Sequence, residues 1–311
     1  MKNSVAWLFY LAVLASAQAA EPLHRIVPRT PEALRQVFAH GESPLPFLSA
    51  HRGGPDIGYP ENCIETFEHT LQRTWSALEI DPRRTKDGVI VLHHDVTLDR
   101  TTTGKGKLSD HTLAELKQLR LKDVKGEVTS FRMPTLDEAI DWARGKTVLV
   151  IDQKDMSAEE RARFITEKKA ESFVMMIVSS FKDVQKVHAI NPEIKMEVMI
   201  PNRKKVEEFD ELGVPWVNVV AFVGHKPSED PELCRMIHAR GASCMIGTSR
   251  HLDRKVLNGE VDDIQSLAKD YRAFIKRGAD VIETDIPVEL GKLVPDWSKV
   301  PEDRQTYFQV R

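Results

Sequence analysis

The strongest constraint on the fold is a repeated alternation of short apolar runs with amphipathic segments along the chain. Eight runs have the length and apolar character of buried β-strands. They are Phe47–His51, Ala77–Asp81, Thr147–Asp152, Phe173–Ser179, Lys195–Ile200, Trp216–Ala221, Ser243–Gly247 and Asp280–Asp285. Strands that alternate with helices pair in parallel, and eight of them close into a barrel. The pattern therefore predicts an α/β fold, a single (β/α)8 TIM barrel.

Segments with apolar residues near a 3.6-residue period separate these strands and indicate helices. They include Glu32–His40, Cys63–Trp75, Leu136–Arg144, Ala158–Ala170, Lys182–Ile190, Pro231–Arg240 and Ile264–Gly278. Two further segments interrupt the alternation. Val89–His93 follows the second strand after only Pro82–Gly88, which is too short for a helical crossover, so we expect an antiparallel hairpin arm. Leu108–Lys122 is expected to form a helix opened by Ser109 or Asp110, as an excursion before the third strand.

The amino terminus has the pattern of a secretory signal peptide. Lys2 precedes an apolar run from Val5 to Leu14, and the small residues of Ala17-Gln18-Ala19 follow it. The run is shorter than the roughly 20 apolar residues that span a bilayer, so no stable membrane insertion is expected after cleavage. We expect residues 1–20 to be a signal peptide cleaved near Ala17–Ala20, residues 21–45 to be a lead-in, and residues 46–311 to form the barrel domain. The expected location is secreted or periplasmic.

Composition limits the class of partner. The 311 residues include 44 Lys and Arg against 47 Asp and Glu, a formal net charge of -3, so the chain lacks the broad positive field of a nucleic-acid-binding protein. The 41% of hydrophobic residues excludes a disordered chain. Cys63, Cys234 and Cys244 can form at most one internal disulfide. The expected partner is a small molecule, and the sequence leaves the oligomeric state open.

Carboxylates mark the ends of the second and third predicted strands. Glu79 and Asp81 are two positions apart on a strand, so both side chains point to the same face and, near the top of a barrel, inward. Two inward like charges require a cation or a bound proton. Asp152 adds a third oxygen donor, and oxygen donors favour Mg²⁺ or Ca²⁺ over zinc. The sequence therefore predicts one divalent cation on these three residues, with a salt bridge to Arg52 or Arg84 as the alternative for the pair.

Histidines and cations also occur at the strand ends. His51 and His94 are candidates for acid–base catalysis, because imidazole changes charge near neutral pH. Arg52 and Lys154 are candidates for binding phosphate, which a guanidinium contacts through two oxygens and an ammonium as a point charge. His93 precedes His94 on the same extended segment and should point the opposite way, so it is the weaker candidate.

Several motifs at fixed spacing resemble one known family. They are His51-Arg52-Gly53, Pro60-Glu61-Asn62, Glu79-x-Asp81, Thr85-Lys86-Asp87-Gly88 and His94-Asp95-x-x-Leu98-Asp99-Arg100-Thr101-Thr102. This stretch is similar to the opening signature of the glycerophosphodiester phosphodiesterase family, and Thr284-Asp285-x-Pro287 resembles a later landmark. The resemblance implies a barrel, a divalent cation, and metal-dependent hydrolysis of glycerophosphodiesters to an alcohol and glycerol 3-phosphate.

The resemblance also implies roles for individual residues. It puts Glu79 and Asp81 on the metal, His51 and His94 in acid–base catalysis, and Arg52 on phosphate. Glu61 and Asn62 would be supporting polar residues near the site, although Asn62 would serve equally well as the cap of the following helix.

Two departures from the family pattern keep alternatives open. The family usually has Glu-x-Lys where this chain has Asp152-x-Lys154, and sphingomyelinase D-like enzymes have an aspartate there. Phospholipase D-like cleavage or cyclisation of a lipid headgroup is therefore an alternative, as is a barrel that binds phosphodiesters without turnover. The seventh strand lacks the family's aromatic ending and reads Met245-Ile246-Gly247-Thr248-Ser249. The alcohol of the substrate and the choice between water attack and a cyclic phosphate also stay open.

Overall fold

Twelve strands are present in the computed structural model of the protein, which describes residues 21–41, 47–294, 300 and 302–311. They are β1 (His24–Ile26), β2 (Phe47–Ala50), β3 (Ser76–Ile80), β4 (Pro82–Arg84), β5 (Ile90–Leu92), β6 (Leu149–Ile151), β7 (Val174–Val178), β8 (Lys195–Met199), β9 (Val219–Gly224), β10 (Ser243–Gly247), β11 (Val281–Thr284) and β12 (Phe308–Val310). A closed parallel barrel contains eight of them in the order β2-β3-β6-β7-β8-β9-β10-β11, and β11 pairs back to β2. The predicted (β/α)8 barrel is confirmed. The proposed signal peptide, residues 1–20, lies outside the described residues.

Helices alternate with the barrel strands and cover the outside of the barrel. They are α1 (Pro31–Val37), α2 (Ile64–Leu71), α3 (Leu113–Leu116), α4 (Leu136–Ala143), α5 (Ala158–Glu167), α6 (Phe181–Ile190), α7 (Arg203–Asp210), α8 (Leu233–His238), α9 (Leu252–Leu257), α10 (Ala268–Lys276) and α11 (Pro287–Gly291). Capping boxes at Thr135 and Ser157 open α4 and α5. The sequence pattern does not predict helix α7, because the helix buries only Val206 and Phe209 and its apolar period is therefore weak.

The predicted hairpin arm is present. Strands β4 and β5 pair antiparallel, with Pro82 opposite Leu92 and Arg84 opposite Ile90. The backbone N–H of His93 then donates to the carbonyl of Asp81 at 2.8 Å. The arm therefore returns the chain, and with it His94, to the end of the strand from which it left.

The prediction of one helix over Leu108–Lys122 is wrong. The segment contains a 3-10 turn at Leu108–Asp110 and the single turn of α3, which Thr112 caps. The backbone N–H of Lys122 instead bonds the carbonyl of Thr101 at 2.8 Å, so the end of the segment pairs with a neighbouring loop rather than with its own preceding turn. A small separate apolar cluster that includes Leu116 stabilises this excursion.

The sixth barrel strand begins later than the predicted Trp216–Ala221. Pro215 precedes a 3-10 helix over Trp216–Asn218, and the strand proper begins at Val219. The indole of Trp216 packs on Phe209 of α7 with ring centroids 4.5 Å apart. Trp216 therefore belongs to the 3-10 helix and packs on α7, and it is not part of the strand.

The two ends of the barrel differ. Strands β1 and β12 form a two-stranded antiparallel sheet, and Ile26, Leu34, Phe38 and Phe308 from the terminal segments join the apolar cluster inside the barrel. These segments close the amino-terminal end of the barrel. The carboxyl-terminal end is left for polar side chains, as the sequence predicts.

Candidate active site

A cavity of about 640 Å³ opens at the carboxyl-terminal end of the barrel. Six of the side chains singled out from the sequence line it together: His51, Arg52, Glu79, His94, Asp152 and Lys154. Their elements are separated by up to about a hundred residues in the chain, and only closure of the barrel brings them to one surface. Asp81, Glu61 and Asn62 do not line this cavity, but Asp81 contacts Lys154 and the other two contact Arg52.

Three carboxylates meet on one side of the cavity. Glu79, Asp81 and Asp152 each offer an oxygen within 4.8 Å of the others. Glu79 and Asp81 are buried, and burial raises the pKa of Glu79 well above its ordinary value, helped by the negative charge of Asp81. Although its side chain is one methylene shorter than the family's glutamate, Asp152 still reaches the cluster. Such a set is stable as anions only with a cation beside it.

The donor chemistry fits a hard divalent cation. All three side chains supply oxygen, the ligand atom that such cations prefer, and Oδ1 of Asp81 is buried. The ammonium of Lys154 is 2.9 Å from this oxygen and also contacts Oδ2 of Asp152. Burial opposes the charge of Lys154, but the two aspartates outweigh it and raise the pKa of the lysine. Lys154, predicted to bind phosphate, thus neutralises carboxylate charge in this arrangement.

The turn after β2 fixes one of these carboxylates. Arg52 adopts a left-handed φ of 56°, and its backbone N–H donates to Oε2 of Glu79 at 2.7 Å. Gly53 follows with a φ of 82°, and a Cβ there would lie 2.2 Å from Cε1 of Phe67. Glycine is therefore required at position 53. The left-handed conformation of Arg52 is strained, and it directs the backbone N–H of this residue at the carboxylate of Glu79.

Asn62 holds Asp81 from two sides. Its Nδ2 donates to Oδ2 of Asp81 at 2.6 Å, and its Oδ1 accepts the backbone N–H of Asp81 at 2.9 Å. Asn62 also has a positive φ of 57°. The alternative role as a helix cap is not observed, because Cys63 is the N-cap residue of α2. The two hydrogen bonds leave Oδ1 of Asp81 as the oxygen directed toward the carboxylate cluster.

His51 forms a tight pair with an acid from the last barrel strand. Its Nδ1 and Oδ1 of Asp285 are 2.5 Å apart. Burial alone would lower the pKa of His51, but the Asp285 hydrogen bond and the charges of Glu79 and Glu283 raise it to about 10. His51 therefore carries a proton at neutral pH when no cation is bound. A cation on the carboxylates would offset their charge and bring this pKa down.

His94 and Arg52 are joined by a chain of charged contacts. The ring Nδ1 of His94 is 2.8 Å from Oδ1 of Asp95, and Arg100 donates to Asp95 at 2.7 Å. Arg100 also contacts both oxygens of Glu61 at 2.8 Å, and Glu61 accepts from Arg52 at 3.1 Å. The hydrogen bond from Arg100 is the main cause that holds the pKa of Asp95 well below its usual range. Glu61 thus positions the guanidinium of Arg52.

His93 is oriented as predicted. Its Nε2 is 3.0 Å from the carbonyl of Thr97, and the side chain is buried away from the cavity. Burial lowers the pKa of His93. It therefore lacks the access to the cavity that His94 has.

Three further acids lie near the site, and the sequence patterns assign no role to them. Asp285 pairs with His51, and Glu197 and Glu283 line the cavity as buried or half-buried carboxyls whose pKa values are raised, chiefly by burial. The signal for Glu283 and Asp285 was present, because they are two positions apart at a strand end like Glu79 and Asp81. Glu197 is the acid within the otherwise apolar Met196–Met199 run.

The seventh barrel strand, β10, lacks an aromatic residue at its end, and aromatic rings from β9 and the loop after it occupy this side of the cavity. Phe222 of β9 and His225 line the cavity with ring centroids 5.1 Å apart. A Cβ at Gly247 would lie 2.4 Å from Nδ1 of His225, so the glycine of β10 makes room for this ring. The cavity thus has an aromatic wall, supplied by β9 and the loop after it.

The His51–Asp285 pair makes the stability of the cation-free protein pH-dependent. Because the pKa of His51 rises from 6.5 to about 10 on folding, the folded state binds this proton more tightly than the unfolded chain. The contribution of the pair to the free energy of unfolding is therefore fully present below about pH 6.5 and is lost as the pH rises through about 10. We expect urea unfolding in chelator to show this loss in the wild type and a flatter profile in His51→Gln. Parallel profiles for the two proteins would contradict the assignment.

The fold and the cavity define a barrel protein with a carboxylate cluster and two acid-paired histidines at its carboxyl-terminal end. A sequence profile of the glycerophosphoryl diester phosphodiesterase family matches residues 51–262. The chain belongs to this family.

Individual relatives agree with this assignment. A glycerophosphodiester phosphodiesterase of Bacillus altitudinis is 26% identical over 251 residues, which cover 77% of this chain and 94% of the relative. The crystal structure of a glycerophosphoryl diester phosphodiesterase from Parabacteroides distasonis superposes with a TM-score of 0.86 at 39% identity, and the match covers 93% of this chain and all of that one.

A third relative was solved with a ligand. The structure of an Oleispira antarctica phosphodiesterase in complex with the product sn-glycerol-3-phosphate has a TM-score of 0.57 at 25% identity, over 81% of this chain and 97% of that one.

Within the described residues of this chain, no helix is both long and apolar enough to span a bilayer.

Proposed function

We propose that the protein hydrolyses glycerophosphodiesters to an alcohol and glycerol 3-phosphate with one divalent cation, Mg²⁺ or Ca²⁺. The observation that carries this proposal is that two histidines, a guanidinium and two of the three clustered carboxylates line one cavity. Membership of the glycerophosphoryl diester phosphodiesterase family supports it, and so does the relative that holds sn-glycerol-3-phosphate. The sphingomyelinase D-like alternative lacks such support.

Glu79, Asp81 and Asp152 would hold the cation in this proposal. When bound, the cation supplies positive charge next to the phosphate and polarises its oxygens. Arg52 would bind another phosphate oxygen, because Glu61 already fixes the direction of its guanidinium. Lys154 would balance the charge of Asp81 and Asp152 and complete the positive wall of the site.

The two histidines would divide the proton transfers. His51 holds its proton firmly through Asp285 and the surrounding carboxylates, so it is suited to protonate the departing alkoxide. The hydrogen bond to Asp95 keeps a proton on Nδ1 of His94, so Nε2 is the atom that can accept the proton of the nucleophile. The nucleophile is either water, which gives glycerol 3-phosphate directly, or a neighbouring hydroxyl of the glycerol, which displaces the alcohol and gives a cyclic phosphate that water then opens. Both routes use the same residues.

We also propose that the protein acts outside the cytoplasm. The support is the signal-peptide pattern of residues 1–20, followed by a lead-in to residue 45 and the barrel domain from residue 46.

The proposed reaction can be tested by comparing soluble and lipid substrates. We expect the mature protein to release glycerol 3-phosphate from glycerophosphocholine and glycerophosphoethanolamine, as followed by ³¹P NMR, and to leave sphingomyelin and lysophosphatidylcholine intact. The His51→Ala variant is the control for a contaminating activity. Cleavage of the lipids alone by a folded protein would replace this function with the sphingomyelinase D-like alternative.

A further inference from the structure

Two arginines on one wall of the cavity have no ion-pair partner among the described residues. Arg250 lies in the turn after β10, and Arg254 lies four residues further on, in α9. Both line the cavity and both are exposed. Neither guanidinium forms an ion pair or a hydrogen bond within residues 21–41, 47–294, 300 and 302–311. The nearby acid Asp253 is turned away and buried against Tyr271 and Thr284.

The other cations of the cavity differ in this respect. Arg52 is paired with Glu61 at 3.1 Å, and Lys154 contacts Asp81 and Asp152. Among the arginines and lysines that line the cavity, Arg250 and Arg254 are therefore the two without an ion pair in the described residues. After burial, the charge of Arg250 is the largest cause that lowers the pKa of His225, so this guanidinium acts on the interior of the cavity and not only on solvent.

The order of the strands separates this pair from the carboxylate cluster. In the closed barrel, β10 is four strands from β6 in either direction, so the two strands lie on opposite walls. Asp152 and Lys154 follow β6, whereas Arg250 follows β10. A diester whose phosphate contacts the carboxylate side would therefore extend its far end toward the arginines. A volume of about 640 Å³ leaves room for more than one phosphate group.

We propose that Arg250 and Arg254 form a second anion-binding subsite that selects glycerophosphodiesters whose alcohol carries a further phosphoryl group. Two planar guanidiniums match the several oxygens and the double charge of a phosphate monoester. A quaternary ammonium such as that of choline is repelled at the same place. This inference rests on the proposed function, because it assigns the alcohol for that same reaction.

The experiment compares two substrates that differ by one phosphate. The wild type should hydrolyse glycerophosphoinositol 4-phosphate with a kcat/KM at least about tenfold above that for glycerophosphoinositol, the scale of a charge-assisted contact. In the R250Q/R254Q double variant this ratio should fall to about 1. The ratio should stay at the wild-type value in R272Q, which removes an exposed arginine outside the cavity. Partial recovery in R250K/R254K, which keeps the charge but loses the planar fork, would support the subsite further.

The possible results separate this inference from the function on which it rests. Equal kcat/KM values for both substrates in the wild type would overturn the subsite and leave the proposed function standing. An equal loss on both substrates in R250Q/R254Q, with an unchanged ratio, would also overturn it and put the arginines on the scissile phosphate. If the folded wild type hydrolyses neither these substrates nor glycerophosphocholine, the proposed function fails, and the subsite fails with it.

Discussion

Exchange of Glu79 or Asp81 for alanine should abolish both activity and cation binding. Each residue supplies one of the three oxygens that lie within 4.8 Å of each other, so either exchange removes a ligand from the small set that would hold the cation. The fold should survive, because the relief of repulsion between buried like charges offsets the hydrogen bonds lost with the carboxylate. The loss is therefore a property of the site and not of unfolding.

Thermal unfolding with and without cation measures this prediction directly. A ligand that binds only the folded state raises the melting temperature with its concentration. We expect Mg²⁺ or Ca²⁺ to raise the Tm of the wild type and of Asp270→Ala, a control at an exposed acid on α10, but not the Tm of Glu79→Ala or Asp81→Ala. An unchanged cation-dependent Tm shift would show that the cation binds elsewhere, and full activity of either variant in chelator would show that no cation is required.

Replacement of His51 or His94 should lower kcat by at least about a hundredfold, the usual effect of losing a general acid or base. Both side chains line the cavity, and each is held through Nδ1 by its own aspartate, Asp285 or Asp95. Alanine removes the group that carries the proton and leaves the carboxylate cluster in place, so cation binding should persist. Steady-state kinetics on glycerophosphocholine at saturating cation give the size of the loss.

His93 provides the matched control for this prediction. It is adjacent to His94 in the sequence, but its ring faces the carbonyl of Thr97 and not the cavity. His93→Gln keeps a donor for that carbonyl and should retain activity within a few fold. A loss as large as that of His94→Ala, in a variant with wild-type stability, would mean that the acid–base role belongs to the other neighbour.

The parts of the site that the sequence predicts are those governed by local geometry. The alternation of side chains along a strand was sufficient to group Glu79 with Asp81 and to separate His94 from His93. The barrel itself follows from the spacing of the eight apolar runs, since a parallel sheet with helical crossovers has few ways to close.

The parts that could not be predicted depend on contacts between distant segments. Asp285 is 234 residues from His51, and only closure of the barrel through β11 and β2 brings the two together. The direction of Lys154 depends on two aspartates from different strand ends. The excursion around α3 was misassigned because its backbone bonds to a neighbouring loop, and the helical period of its sequence carries no sign of that competition.

The central claim is that a divalent cation on the carboxylate cluster is required for hydrolysis of a glycerophosphodiester. The most direct measurement is the rate of glycerol 3-phosphate release from glycerophosphocholine by chelator-stripped protein, while Mg²⁺ or Ca²⁺ is added back and bound cation is measured in the same samples. We expect no release without cation, and a rate that rises in proportion to the first equivalent bound. Release at the full rate by the stripped, cation-free protein would contradict it.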